Sequence, residues 1–163
     1  TLTLGAKAFS KATNLEKINS YVKLTGTDTF EECYSLTDVV LSTSNTSIPR
    51  GTFYLCTNLE SITIPTAVTT IGDYAFTNTR INNLTIPNNV TSIGQAAFAN
   101  SFNLDNLTLS TKLQTIAEGG FASCANMQSL SIPATVTSIG KDAFRDCPSL
   151  ESVTIGDSVT NIG

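Results

Sequence analysis

Hydrophobic and polar positions along this chain repeat with a period of about 23 residues. The period is set by phenylalanines separated by 21, 23, 23, 22, 23 and 23 residues. These repeat phenylalanines are Phe9, Phe30, Phe53, Phe76, Phe98, Phe121 and Phe144. A pattern that returns at a fixed period indicates stacked copies of one structural unit, here called a rung. A single rung is too small to bury its own apolar face, so we expect the core to form between neighbouring rungs.

Each rung contains a short apolar pattern of the form L-x-x-I-x-I. In the third rung it is formed by Leu59, Ile62 and Ile64. The last two apolar positions alternate with polar ones, which predicts a half-buried strand. Proline follows this strand in three rungs and ends its pairing, because proline has no N–H to donate. These prolines are Pro65, Pro87 and Pro133.

A second pattern, V-T-x-I-G, follows in most rungs and predicts a second short strand on the far side of the coil. Val68, Ile71 and Gly72 form it in the third rung. At this glycine and its equivalents we predict a bend with positive φ. The other three glycines are Gly94, Gly140 and Gly163. The x-x-A-F segment that comes next predicts a single helical or 3₁₀ turn, and its small residue before each phenylalanine is expected to pack against a neighbouring backbone.

The first two rungs depart from the pattern. Ser20 and Tyr21 stand where an inward strand residue and proline are expected, and Asn45 and Pro49 replace the usual valine and glycine. Degenerate terminal repeats are typical of solenoids. The chain stops at Gly163 in the middle of a rung, without a polar cap. We therefore expect one domain over residues 1–163 that is a fragment of a longer array.

Composition narrows the possible functions. The chain of 163 residues is 40% apolar and 13% charged, with a net charge of −4, which argues against disorder and against a nucleic-acid partner. No apolar run approaches the length of roughly 18 residues that a membrane span needs. There is no histidine, no nucleophile motif and no phosphate-binding loop, so we predict neither an enzyme nor a cofactor or metal site.

The combined spacing resembles the BspA-like (Treponema-type) leucine-rich repeat family, whose pattern is C-x-x-L-x-x-I-x-I-P-x-x-V-x-x-I-G-x-x-A-F. The resemblance covers nearly the whole chain and is strongest from Leu59 to Gly163. It implies a repeat solenoid, α/β or mainly β, formed as a right-handed leucine-rich repeat coil of about seven rungs with a parallel concave sheet. It also implies an extracellular or cell-surface protein that adheres to host or neighbouring-cell proteins, without catalytic residues.

The outward positions of the first strand are the candidate protein-binding residues, because repeat solenoids present such columns as an extended surface. The alternative is that these polar residues only keep a strand face solvated, and that the chain is a passive stalk within a larger surface protein. The identity of the extracellular partner cannot be read from these residues. The candidates are Asp38, Ser61, Thr63, Asn83, Thr85, Asn106, Thr108, Ser129, Ser131, Ser152 and Thr154.

A second candidate surface is aromatic. Tyr54 and Tyr74 flank repeat phenylalanines in adjacent rungs, and with Arg50 they are expected to form an edge over the second to fourth rungs. Tyr34 and Phe102 share another column. Half-buried packing is the alternative for all of these aromatic residues.

Four cysteines lie three residues after a repeat phenylalanine, in a column otherwise held by small residues. They are Cys33, Cys56, Cys124 and Cys147. We predict buried free thiols, since parallel side chains on stacked rungs have a poor disulfide torsion. The alternative is two bridges, Cys33 to Cys56 and Cys124 to Cys147. Four N-x-S/T sequons, at Asn45, Asn83, Asn89 and Asn106, match the number expected by chance in so Ser/Thr-rich a chain.

Overall fold

The computed structural model describes residues 1–163, and all of its regular structure is β-strand. The chain winds through about seven turns, and most turns contribute a first strand and a second strand, as the two sequence patterns predict. The strands are β1 Leu2–Leu4, β2 Lys17–Leu24, β3 Asp38–Leu41, β4 Ser47–Ile48, β5 Thr70–Ile71, β6 Asn83–Thr85, β7 Ser92–Ile93, β8 Asn106–Thr108, β9 Thr115–Ile116, β10 Ser129–Ile132, β11 Ser138–Ile139, β12 Ser152–Ile155 and β13 Asn161–Ile162.

From the second rung onward the second strands form one continuous parallel sheet of six strands, in the order β13-β11-β9-β7-β5-β4. Nearer the N-terminus, β1 pairs with Val22–Leu24 of β2, which gives a separate three-stranded sheet, β1-β2-β3. Each strand has only two paired residues, and the pairing joins equivalent positions, such as Ile71 with Ile93 and Ile93 with Ile116. These isoleucines are almost fully buried, because each points into the stack. The predicted second strand is therefore confirmed.

The first strands pair only two at a time. β2 pairs with β3, β6 with β8, and β10 with β12, in each case parallel. Residues 61–64 of the third rung form no strand, although Ile64 is as buried as its counterparts. The first-strand side of the molecule therefore carries interruptions that the second-strand side lacks.

A column of stacked phenylalanine rings runs through the core. Adjacent ring centroids lie 5.1–5.8 Å apart, with interplanar angles between 2° and 16°. The five inner rings are fully buried, and only the end rings Phe9 and Phe144 are partly exposed. The ring spacing is slightly larger than the step of about 4.8 Å between neighbouring strands, so one phenylalanine per rung fills the interior with rings in contact.

The predicted helical or 3₁₀ turn around each repeat phenylalanine is wrong. The residues two before and two after every repeat phenylalanine have positive φ, whether or not they are glycine. In the fourth rung the N–H groups of Tyr74, Phe76 and Asn78 donate to carbonyls of the next rung at 2.8, 2.7 and 2.9 Å. A helix would direct these N–H groups to carbonyls of its own turn. In this structure the N–H groups of alternate residues bond to the next rung, and the residues with positive φ bend the chain sharply.

The prediction of positive φ at Gly72 and its three equivalents is also wrong, since only Gly51 and Gly119 are glycines with positive φ. A Cβ on Gly72 would lie 2.6 Å from the backbone nitrogen of Arg50 in the preceding rung. The glycine is required because two backbones approach closely, and its conformational freedom is not used.

In the irregular first rung, the first strand and the second strand are joined without a turn as the single strand β2. The register of β2 with β3 shifts between Ile18 and Tyr21. Asn45 completes the pairing of this long strand. Its buried side chain accepts a hydrogen bond from Leu24 N at 2.8 Å and donates to Val22 O at 2.8 Å, so it acts as a peptide group added to the sheet.

Candidate functional site

The outward side chains of the first strands form one exposed surface, here called the first-strand face. Every one of the predicted binding residues is exposed on it. They are Asp38, Ser61, Thr63, Asn83, Thr85, Asn106, Thr108, Ser129, Ser131, Ser152 and Thr154. The inward neighbours are buried, with Leu84 and Leu130 each 4% exposed. The period-two alternation therefore separates a polar outer surface from the core, as the sequence predicts.

Strand register aligns these side chains into columns. Asn83 pairs with Asn106, and Thr85 pairs with Thr108. Asn106 Nδ2 donates to Asn83 Oδ1 at 2.7 Å, so the two amides hold each other in fixed orientations. Part of the face is thus a pre-ordered array of amide and hydroxyl groups. Because these side chains are already held in place, they lose little rotamer entropy when a partner binds.

The face is interrupted by a groove of about 450 Å³ between the second and third rungs. Its walls include Asp38 and Val40 on one side and Ser61 and Thr63 on the other. Residues 61–64 make no backbone–backbone hydrogen bond with either neighbouring rung. Their N–H and C=O groups are therefore available to water or to a partner's backbone.

Tyr21 is a candidate contact residue that sequence reasoning missed. It lines the groove and is 61% exposed, and it pairs with Val40, which is 46% exposed. The available signal was its position, because an aromatic residue replaces the proline that ends the first strand in other rungs. Tyrosine anchors interfaces far more often than serine or threonine, so the groove is the most aromatic part of this face.

The cysteine column faces into the stack, where Cys33, Cys56 and Cys124 are buried and the last member, Cys147, is half-buried. All four cysteines are free, and each Sγ lies within hydrogen-bond distance of the carbonyl oxygen of the repeat phenylalanine in the preceding rung. The S···O distance is 3.1 Å from Cys33 to Phe9 and 3.1 Å from Cys56 to Phe30. Burial raises the pKa of Cys33 to about 11 and also raises the pKa of the other three thiols. A protonated thiol is a poor nucleophile and metal ligand, so the column is structural.

The sequons differ in accessibility. Asn45 is 2% exposed and all of its amide hydrogen bonds go to backbone groups. Asn83, Asn89 and Asn106 are exposed. In the folded protein, three of these four sequon asparagines are therefore accessible to a glycosylating enzyme, and Asn45 is not.

The predicted aromatic edge is partly assembled. Tyr54 and Tyr74 meet edge to face with ring centroids 6.5 Å apart, and the Arg50 guanidinium carbon lies 5.7 Å from the Tyr74 ring centroid. Arg50 also forms an ion pair with the buried carboxylate of Asp28 at 3.2 Å. Tyr34 is not a member of this cluster, since its hydroxyl donates to Glu32. Phe102, which is 52% exposed, lines a separate cavity beside Cys147 and Pro148.

Comparison with known sequences and structures gives consistent results. A protein-family model described as BspA type leucine rich repeat region, in six copies, matches residues 1–104 and 46–163. No curated protein sequence matches the chain. No helix in the structure has the length and hydropathy needed to cross a membrane.

Several solved structures are similar. A leucine-rich repeat protein from Bacteroides ovatus is 31% identical with a TM-score of 0.92, over 98% of this chain and 42% of that one. A leucine rich cell surface protein from Faecalibacterium prausnitzii is 27% identical with a TM-score of 0.69, over 97% of this chain and 52% of that one. A leucine-rich repeat protein from T. pallidum is 24% identical with a TM-score of 0.81, over 92% and 72% of the two chains, and shows likeness of fold alone. The chain thus spans about half, or less, of the length of the first two proteins.

Proposed function

The chain belongs to the BspA-type leucine-rich repeat family, and on that basis we propose that it is a protein-recognition or adhesion module that binds through the first-strand face. The partner is an extracellular protein of a host or neighbouring cell. We further propose a cell-surface or secreted location. The similarity to a protein described as a leucine rich cell surface protein supports this location.

The observation that carries the proposal is the exposure of polar side chains along one face, together with a groove in that face that Tyr21 lines. Amide and hydroxyl groups along the strands supply hydrogen bonds, and Tyr21 and Val40 supply apolar contact area. Most of the face lacks the tryptophan, tyrosine and arginine that anchor tight interfaces. Each chain therefore binds weakly, and several copies on one surface supply avidity.

The test replaces the ordered centre of the face. The variant carries Asn83→Glu, Asn106→Lys, Thr85→Lys and Thr108→Glu, so that opposite charges lie across each strand pair and the net charge is unchanged. A matched control carries Thr70→Lys and Thr115→Glu, which are exposed on the second-strand sheet.

Binding is measured to adherent mammalian cells and to plates coated with extracellular-matrix proteins, after thermal melts verify that all chains are folded. We expect the first-strand variant to lose binding and the control to retain it. Equal binding by the wild type and the first-strand variant contradicts recognition through this face.

A passive spacer is the second candidate, and the core favours it. The phenylalanine stack continues from Phe9 to Phe144, and the six-stranded sheet continues from Ser47 to Ile162. A rigid spacer needs only this continuity and no particular surface. Absence of binding by the wild type to any of the probes, with the protein folded, favours the spacer over the adhesion module.

A further inference from the structure

A small pocket of about 220 Å³ lies away from the first-strand face, among the turns around the repeat phenylalanines. It exists because of one glycine. Asp28, Gly51 and Tyr74 are equivalent positions in three successive rungs, each two residues before a repeat phenylalanine and each with positive φ. Gly51 has no side chain, so the Asp28 carboxylate can lie where a Cβ would stand, and the pocket opens beside it towards Arg50 and Tyr74. We call this pocket the Gly51 notch.

Arg50 spans the notch and is held at both ends. Its Nη1 lies 3.2 and 3.3 Å from the two carboxylate oxygens of Asp28, and its guanidinium lies over the Tyr74 ring. Asp28 is buried, which anchors the pair, while the Arg50 side chain is 56% exposed. Because Asp28 occupies only Nη1, the N–H groups on Nη2 and Nε remain free to donate.

The other walls supply an acceptor and apolar surface. Glu31 accepts a hydrogen bond from Ser10 through Oε2, and Oε1 has no donor within the protein. Tyr54 is half-buried and meets Tyr74 edge to face, so it adds both a ring and a hydroxyl to the lining. The notch thus combines strong donors, a carboxylate acceptor and aromatic surface within a volume suited to a small ring.

We propose that the Gly51 notch binds a neutral sugar ring, such as a terminal hexose of a glycan. The charges decide the class of ligand. An anionic ligand is repelled by Asp28 and Glu31, and a cationic ligand competes with Arg50 for the same carboxylates. A pyranose carries hydroxyls that both donate and accept, and it has an apolar face of C–H groups that packs on an aromatic ring. It therefore satisfies the free donors of Arg50 and the free oxygen of Glu31 without adding charge.

The chain contains its own matched control. Gly119 occupies the equivalent position three rungs later and leaves a second notch of about 180 Å³. This notch includes an ion pair, Arg145 to Asp142 at 3.5 Å, but no aromatic residue lines it. A glycine notch with an arginine and a carboxylate is therefore common to both sites. Only the Gly51 notch adds the two tyrosines.

The experiment is saturation-transfer difference NMR on the full chain. The neutral probes are methyl β-D-glucopyranoside and methyl β-D-galactopyranoside, and the charged probes are glucuronic acid and Nα-acetyl-lysine amide. Two variants alter the site. Gly51→Ala places a methyl group against the Asp28 carboxylate. Arg50→Gln removes the guanidinium but keeps an amide donor for the buried Asp28 carboxylate, and a thermal melt verifies that this variant is folded. The control variant is Gly119→Ala, whose methyl group meets no atom closer than 4.0 Å.

We expect saturation transfer to at least one neutral glycoside, stronger than to either charged probe. The affinity for that glycoside should fall about tenfold in Arg50→Gln and be unchanged in Gly119→Ala. Absence of transfer to both glycosides, tighter binding of a charged probe, or wild-type affinity in both Arg50→Gln and Gly51→Ala overturns the proposal. Loss of sugar binding in the first-strand variant also overturns it, because the sugar would then bind the other face.

Discussion

Phenylalanine stacking gives the most quantitative prediction for this solenoid. Phe76 is fully buried between Phe53 and Phe98, with ring centroids 5.3 and 5.1 Å away. Aromatic pairs at such distances stabilise by about 0.5–1.5 kcal/mol beyond the burial of apolar area. Phe76→Leu keeps the site apolar but removes two ring pairs, so we expect the free energy of unfolding to fall by about 1–3 kcal/mol.

A double-mutant cycle isolates the ring contact itself. Phe76→Leu and Phe98→Leu each remove two pairs, and the pair they share is counted in both. The double variant loses three pairs in total, so its destabilisation should be smaller than the sum of the single effects by about 0.5–1.5 kcal/mol.

The matched control combines Phe76→Leu with Phe121→Leu. These two rings are separated by Phe98, through steps of 5.1 and 5.2 Å, and share no contact. Their effects should add within about 0.5 kcal/mol. Urea unfolding, followed by far-ultraviolet and near-ultraviolet circular dichroism, measures the wild type and the five variants. The two signals must coincide for the free energies to be comparable.

One result refutes the reasoning. If the coupling between adjacent positions 76 and 98 is no larger than that between positions 76 and 121, the rings contribute only by filling volume. The stack is then a consequence of the repeat geometry and adds no pairwise stabilisation.

Four further predictions concern the scaffold. Ile86→Asp puts an unpaired carboxylate at a position only 1% exposed, so a thermal melt should show severe destabilisation. A melting temperature within about a degree of wild type contradicts the assignment of this side chain to the core. Asn45→Val restores the repeat pattern but removes the hydrogen-bond partners of Leu24 N and Val22 O. The free energy of unfolding in urea should fall by about 1–3 kcal/mol for each group left unpaired. A stabilised variant shows that those groups find other partners. Gly119→Ala should cost about 1–2 kcal/mol in urea unfolding because φ is 63°, and Ala96→Gly should not destabilise because φ is 49°. Wild-type stability in Gly119→Ala, or a loss of stability in Ala96→Gly, excludes backbone strain as the controlling effect. Since burial raises the pKa of Cys33 from 9.0 to about 11, deprotonation is easier in the unfolded chain, and the free energy of unfolding should fall as pH rises between those values. The other buried thiols act in the same direction, so Cys33→Ala should reduce this slope without abolishing it. An unchanged slope argues against the contribution of Cys33.

Much of the fold follows from local spacing. The seven repeat phenylalanines, the inward residues of the first strand and the second strand all lie where the repeat predicts. The exposure of the eleven candidate residues was predictable for the same reason, since alternation assigns Thr85 outward and Ile86 inward. Membership of the leucine-rich repeat family follows from the same spacing.

Three features could not be read from the residues at their own positions. Positive φ occurs at residues as different as Lys7, Leu55 and Asp146, because hydrogen bonds between rungs impose it whatever the side chain. The groove depends on residues 61–64 failing to pair with either neighbour, which no local motif marks. Asn45 resembles a defect in the repeat until its contacts with β2 are known.

By itself the sequence determined the rung, meaning its length, its strands and the side of each strand that faces the core. These properties depend on residues close together in the chain and are repeated often enough to be unambiguous. Tertiary structure decided how rungs meet, because those contacts join residues about 23 positions apart and depend on what each neighbouring rung places there. Arg50 illustrates the difference. It reaches Asp28 in the preceding rung and Tyr74 in the following one only because Gly51 leaves room between them.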